Sequence, residues 1–165
     1  LLRSIRLRSA GLLIFGGLTL FHTFNIHTYI NVCQWEAIMT VYISAVLILF
    51  IVQTFSSALT QFGPMGNNSI AAGLGGRDEL ADRSPISARL ERAKANMMEA
   101  LPIFLTLALL HVMNGPAPEL ALNGALIFLI ARIVYIPAYA SGIIGVRTAV
   151  WGVGHAGLLM MALAF

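Results

Sequence analysis

Residues 89–104 read RLERAKANMMEALPIF. The stretch opens like the charged surface of a helix and closes apolar enough for a lipid bilayer. Asn96 and Glu99 fall after the apolar run has begun. A charged side chain at the centre of a bilayer costs about 2.5–3.5 kcal/mol on insertion scales, so Glu99 calls for a partner. The rest of the chain says that a bilayer is the setting. Of its 165 residues, 58% are hydrophobic and 10% charged, against roughly 25% charged in soluble domains. Ala37 to Phe62, Ala100 to Pro118 and Thr148 to Phe165 contain no Asp, Glu, Lys or Arg. A spanning helix needs about 20 mostly apolar residues. The chain therefore reads as an all-α, multi-pass integral membrane protein in contact with lipid.

Working outward from that stretch, five helical segments are expected. The first, about 10–30, is short and is interrupted by His22, Thr23, Asn25 and His27. The second, about 36–62, is the cleanest span, with Trp35 as an interfacial anchor. The third starts near Pro85 behind a Ser84 cap and runs to about Met113. The fourth starts at the NGPAP turn and ends near Ser141; the fifth runs from about Arg147 to the end. The segment 1–35 has the basic start and apolar stretch of a secretory leader. No small-residue cleavage site follows clearly, and it reads as mature sequence, either spanning or lying at the interface.

The formal net charge of +3 does not point to nucleic acid. If all five segments cross, nine of the ten Lys and Arg residues fall on one side, and Arg132 lies inside helix four. The positive-inside rule then puts the N-terminus and loop 63–94 on the cytoplasmic side. The single cysteine, Cys33, excludes an internal disulfide. His22, His27, His111 and His155 do not form a metal-ligand pattern: the first two lie about 140° apart on a helix. GLGG at 73–76 is a linker, since no strand precedes it and no Lys-Ser or Lys-Thr follows.

The polar residues within the spans fall on stripes. Arg92, Asn96 and Glu99 are spaced i, i+4, i+7 and share one helix face. Arg132, Tyr135 and Tyr139 are spaced i, i+3, i+7 and do the same. Two stripes facing each other avoid exposing polar groups to acyl chains, and the expected ion pair is Glu99 with Arg132. Pro102 and Pro137 each remove a backbone hydrogen bond, freeing the carbonyls of Met98 and Ile133, and are expected to open space between the helices. Arg147 opens helix five, where the macrodipole disfavours a cation. Something anionic nearby would account for it. Gly152, Gly154 and Gly157 read as positions of close helix approach.

RLERAKANMMEALPIF, ARIVYIPAY and GVRTAVWGVG, in that order and spacing, resemble the MAPEG family, the membrane-associated proteins in eicosanoid and glutathione metabolism. GGRDELADRS before the first motif resembles the loop of its bacterial branch. The resemblance covers residues 36–165 as a four-helix domain and leaves 1–35 as an additional N-terminal helix. It implies a homotrimer with glutathione bound between subunits as co-substrate, and a hydrophobic electrophile as acceptor. Arg92 and Asn96 would hold the tripeptide, Glu99 its amino group, Tyr135 and Tyr139 would line the cleft, and Arg147 would stabilise the thiolate. The activity implied is of transferase or peroxidase type. Two departures stand out. IVQTFSSALTQF, at 51–62, has no basic residue where eicosanoid members carry an arginine, and Ala95 stands where some have another. Lys94 is a candidate substitute for one, although it falls on a different helix face. These gaps and the added segment keep a second expectation: an inactive structural subunit of a larger membrane complex.

Overall fold

The computed structural model describes residues 34–62, 66–76, 80–143 and 145–165. The first expected helix, with His22, His27, Cys33 and the basic cluster at 3–8, lies outside them. The described chain is all helical: α1 (Gln34–Gln61), the short α2 (Ile70–Leu74), α3 (Pro85–Asn114), α4 (Glu119–Ser141) and α5 (Val146–Leu163). Four of these, of 28, 30, 23 and 18 residues, are long and apolar enough to cross a membrane. Their bounds fall within about two residues of the expected ones.

Local chemistry sets the boundaries. The Ser84 side chain accepts a hydrogen bond from the Ser87 backbone N–H, and Pro85 takes the first helical position, where its missing N–H costs nothing. Gly142 ends α4 in the left-handed conformation at φ 72°. Arg89 donates to the Ala140 carbonyl at 3.0 Å, satisfying a backbone acceptor at that terminus. A Cβ at residue 142 would stand 2.6 Å from that guanidinium, which could swing aside, so it is the left-handed backbone that calls for Gly142. Between α1 and α3 the chain is tied down by Asn68. Its side chain donates to the Ala81 carbonyl at 3.0 Å and accepts from the Ala81 N–H at 2.8 Å.

The bundle interior joins Met39 and Val46 of α1, Met97, Ala100, Phe104 and Ala108 of α3, Phe128 of α4 and Met161 of α5. Phe104 stacks on Phe128 with centroids 4.8 Å apart. Outward, Ile48, Phe55 and Leu59 of α1 are more than 60% exposed, as suits a face meeting acyl chains rather than water. Association of apolar helices in lipid rests on close packing, since burial itself gains little there. α4 and α5 meet that requirement at two glycines: a Cβ at Gly124 would stand 2.6 Å from the Gly157 carbonyl oxygen, and one at Gly157 2.6 Å from that of Gly124. Gly154 leaves ordinary contact distance to Ala131, and Gly152 faces open space. Of the three glycines expected to permit close approach, Gly157 therefore carries the role with Gly124, and Gly152 does not.

Pro102 and Pro137 also depart from expectation. Both are exposed, as are Met98 and Ile133, whose carbonyls they free. They lie on the outer faces of α3 and α4 rather than in the bundle interior.

Substitution Gly157→Val is expected to destabilise the bundle by about 1–3 kcal/mol through overpacking against backbone. Gly152→Ala should be neutral or stabilise it by up to about 1 kcal/mol. Unfolding in mixed micelles measures both.

Candidate functional site

The stripes on α3 and α4 do meet, through a different pair from the one expected. Arg132 is 1% exposed, among the most buried side chains of the described residues. Its Nη1 donates to Asn96 Oδ1 at 2.9 Å. Its guanidinium carbon lies 5.0 Å from the Phe128 ring centroid and 5.6 Å from that of Tyr135. Glu99, the expected partner, is exposed and forms no ion pair with Arg132, although its charge is near enough to act on both Arg132 and Tyr135. The reason is rotational. Asn96 and Glu99 are three residues apart, so their side chains differ by about 60° around the helix. The rotation of α3 about its axis turns the amide inward and leaves the carboxylate at the surface.

A buried guanidinium costs several kcal/mol in desolvation. A hydrogen bond to a charged group returns about 1.5–3 kcal/mol, and two desolvated ring faces add roughly 1–4 kcal/mol. The contacts seen are of the size required. Nε and Nη2 of Arg132 nonetheless have no hydrogen-bond partner among the described residues. The Asn96 amide nitrogen is the other consequence. With Oδ1 committed to Arg132, that NH2 is the group left to face outward.

Tyr135 and Tyr139 extend the seam toward the end of the bundle bearing Arg83, Arg89 and Arg92. Their rings meet edge to face with centroids 5.4 Å apart. Beyond them the Arg147 guanidinium lies 5.5 Å from the Tyr139 ring. Arg147 is exposed, and its charge reaches Tyr135. The fold thus brings Asn96, Arg132, Tyr135, Tyr139 and Arg147 into one continuous run. Arg92 is exposed on α3 and is not joined to the run by any hydrogen bond or ion pair among the described residues.

A second polar group was missed by reasoning from the α3 and α4 stripes. Ser57 of α1, buried, donates to Glu91 Oε2. Glu91 also pairs with Arg83 at 3.1 Å and Lys94 at 2.7 Å. Lys94 is therefore engaged within α3 and is not a ready substitute for an absent arginine. One turn deeper, Gln53 is 2% exposed, and neither its amide oxygen nor its nitrogen has a partner among the described residues. The signal lay in the sequence: Gln53, Ser57 and Gln61 repeat at i, i+4, i+8 along one face of a helix without Lys, Arg or Asp.

The histidines are engaged locally. His111 is buried, stacks on Phe165 at 4.0 Å and hydrogen-bonds the Met161 carbonyl through Nε2 at 2.9 Å. His155 bonds the Trp151 carbonyl through Nδ1 at 2.9 Å and lies against its indole. Among the described residues no three His, Cys, Asp or Glu side chains are grouped to hold a metal.

A membrane bundle of four spanning-length helices, with an arginine–asparagine clamp at its heart and a tyrosine–arginine run at its basic end, is the class these features define. The model of the MAPEG family matches residues 37–165, and the chain belongs to that family. No curated protein matches it individually.

Asn96→Leu strips Arg132 of its hydrogen-bond acceptor and is expected to cost about 1–3 kcal/mol. Glu99→Gln breaks no ion pair and should change stability by less than about 0.5 kcal/mol. Reversible unfolding in mixed micelles tests the order: a larger loss from Glu99→Gln would show the pairing to be reversed.

Proposed function

We propose that the protein binds glutathione at the basic end of the α3–α4 seam and presents its thiol to a hydrophobic electrophile dissolved in the bilayer. The observation that carries this reading is the Arg147 guanidinium, exposed and seated over Tyr139, at the end of the run from Asn96 through Arg132. Membership of the MAPEG family supports it. The donor set fits the tripeptide chemically. Arg92 and Arg147 are exposed cations suited to carboxylates or a thiolate, and Glu99 is an exposed anion suited to an ammonium group. Asn96 offers an amide N–H, and Arg132 retains unpartnered N–H donors.

Bound glutathione would supply the nucleophilic sulfur. A free thiol has a pKa of about 8.5, and an adjacent guanidinium lowers it. Arg147 would hold that negative charge. Arg132 would act at one remove, fixing the rotamer of Asn96 so that its amide nitrogen faces the ligand. Exposure of Arg92 and Glu99 on a single chain favours a site completed by a neighbouring copy, in a homotrimer. The positive-inside rule supports a cytoplasmic position for this end. The bacterial-type loop and a separate helix over residues 1–35 belong to the same reading.

One observation favours a second reading, an inactive structural subunit of a larger membrane complex. Lys94 and Arg83 are both committed to Glu91, and α1 brings no cation to the seam. Purification as a lone homotrimer in mild detergent would count against it.

Glutathione at about 100 times its Kd is expected to stabilise the protein by about 2.7 kcal/mol. Glu99→Gln and Arg92→Met should each weaken binding by about tenfold. Arg147→Met should retain most of the affinity and lose the ultraviolet absorbance of bound thiolate at neutral pH. Calorimetry and difference spectra measure these outcomes, and no stabilisation at millimolar glutathione would remove the proposal.

A further inference from the structure

The opposite end of the bundle carries a second site. A pocket of about 250 Å3 opens between the start of α1 and the start of α4, lined by Trp35, Ile38, Tyr42, Glu119, Leu122 and Asn123. Trp35 and Tyr42 are seven residues apart and share one face of α1; Glu119 and Asn123 are four apart and share one face of α4. Two aromatic rings thus stand across from a carboxylate and an amide. Ile38 and Leu122 complete the lining.

The charge of this end is uniform. Arg8 to Arg77 contains no intervening Lys or Arg, and neither does Lys94 to Arg132. The described residues here therefore present Glu36 and Glu119 without a cation, and Glu119 forms no ion pair among the described residues. α4 begins at the pocket, and a helix start is equivalent to about half a positive charge. The Glu119 carboxylate, a whole negative charge, outweighs it.

We propose that this pocket binds the quaternary ammonium group of a zwitterionic phospholipid. Aromatic faces attract cations through the ring quadrupole, and indole does so best. A carboxylate supplies the counter-charge. The two rings with Ile38 and Leu122 suit N-methyl groups, which need no hydrogen-bond acceptors, while Glu119 forms the polar side of the pocket. A metal ion is disfavoured, since no three acidic or histidine ligands converge among the described residues. The lipid follows from location. The pocket lies beside the first turn of α4 and the first described turns of α1, both of spanning length, and Trp35 is the residue type that anchors such helices at the headgroup level.

The test uses the full chain in maltoside micelles. The sequence holds two tryptophans, so Trp151→Phe leaves Trp35 as the fluorescent reporter. It is titrated with tetramethylammonium, with dihexanoyl phosphatidylcholine and with dihexanoyl phosphatidylglycerol. The expected result is a saturable change in Trp35 emission with phosphatidylcholine and none with phosphatidylglycerol. Saturation by phosphatidylcholine alone identifies the lipid as the ligand; saturation by tetramethylammonium as well identifies the ammonium group as sufficient. Glu119→Gln and Tyr42→Leu, added to the same background, should each weaken the response by about tenfold. The headgroup comparison stands on the parent protein even if a variant fails to fold. Equal responses to the two phospholipids, no saturable response to phosphatidylcholine, or unchanged affinity in folded Glu119→Gln would overturn the proposal.

Discussion

A guanidinium placed inside a bundle surrounded by lipid constrains everything around it. Arg132 is 1% exposed, so lipid cannot solvate it and the protein must. Asn96 supplies an acceptor from α3, and Phe128 and Tyr135 supply ring faces from α4 itself. That requirement fixes the rotation of both helices. Once Asn96 faces Arg132, Phe104 is carried two turns along α3 onto Phe128, and Glu99 is turned to the surface. The same rotation aligns Tyr135 and Tyr139 toward Arg147. The polar seam is thus a consequence of one buried charge.

Two other devices hold the remaining helices to this pair. α5 approaches α4 backbone to backbone at Gly124 and Gly157, where dispersion contacts replace the hydrophobic drive that lipid removes. α1 is fastened differently, by Ser57 on Glu91, with Arg83 and Lys94 neutralising the carboxylate. These groups lie near the basic end, where Asn68 also pins the connecting chain to Ala81. The two ends of the bundle are therefore chemically distinct. One gathers arginines and a tyrosine pair. The other, with Trp35, Tyr42 and Glu119, gathers aromatic faces and negative charge.

The number and bounds of the four spanning-length helices were legible because length, uncharged runs and caps such as Ser84–Pro85 act locally; the short α2, inside the segment read as a loop, was not. The stripes were legible for the same reason: periodicity places Arg132, Tyr135 and Tyr139 on one face whatever they meet. The partner of Arg132 was not legible. Asn96 and Glu99 differ by less than a turn, and charge favours the carboxylate; only the rotation of α3 about its axis decides for the amide. The outward setting of Pro102 and Pro137 escaped notice because a proline's effect depends on which side of the helix it faces. Gly124 was hidden because its reason for being glycine is the Gly157 carbonyl, thirty-three positions away.

The most direct measurement is a double-mutant cycle between positions 96 and 132. Asn96→Leu, Arg132→Met and the double variant would be compared by reversible unfolding in one mixed-micelle system. A buried, charge-assisted hydrogen bond that sets helix rotation predicts a coupling energy of about 1.5–3 kcal/mol. A coupling within about 0.3 kcal/mol of zero, with both single variants folded, would contradict the account.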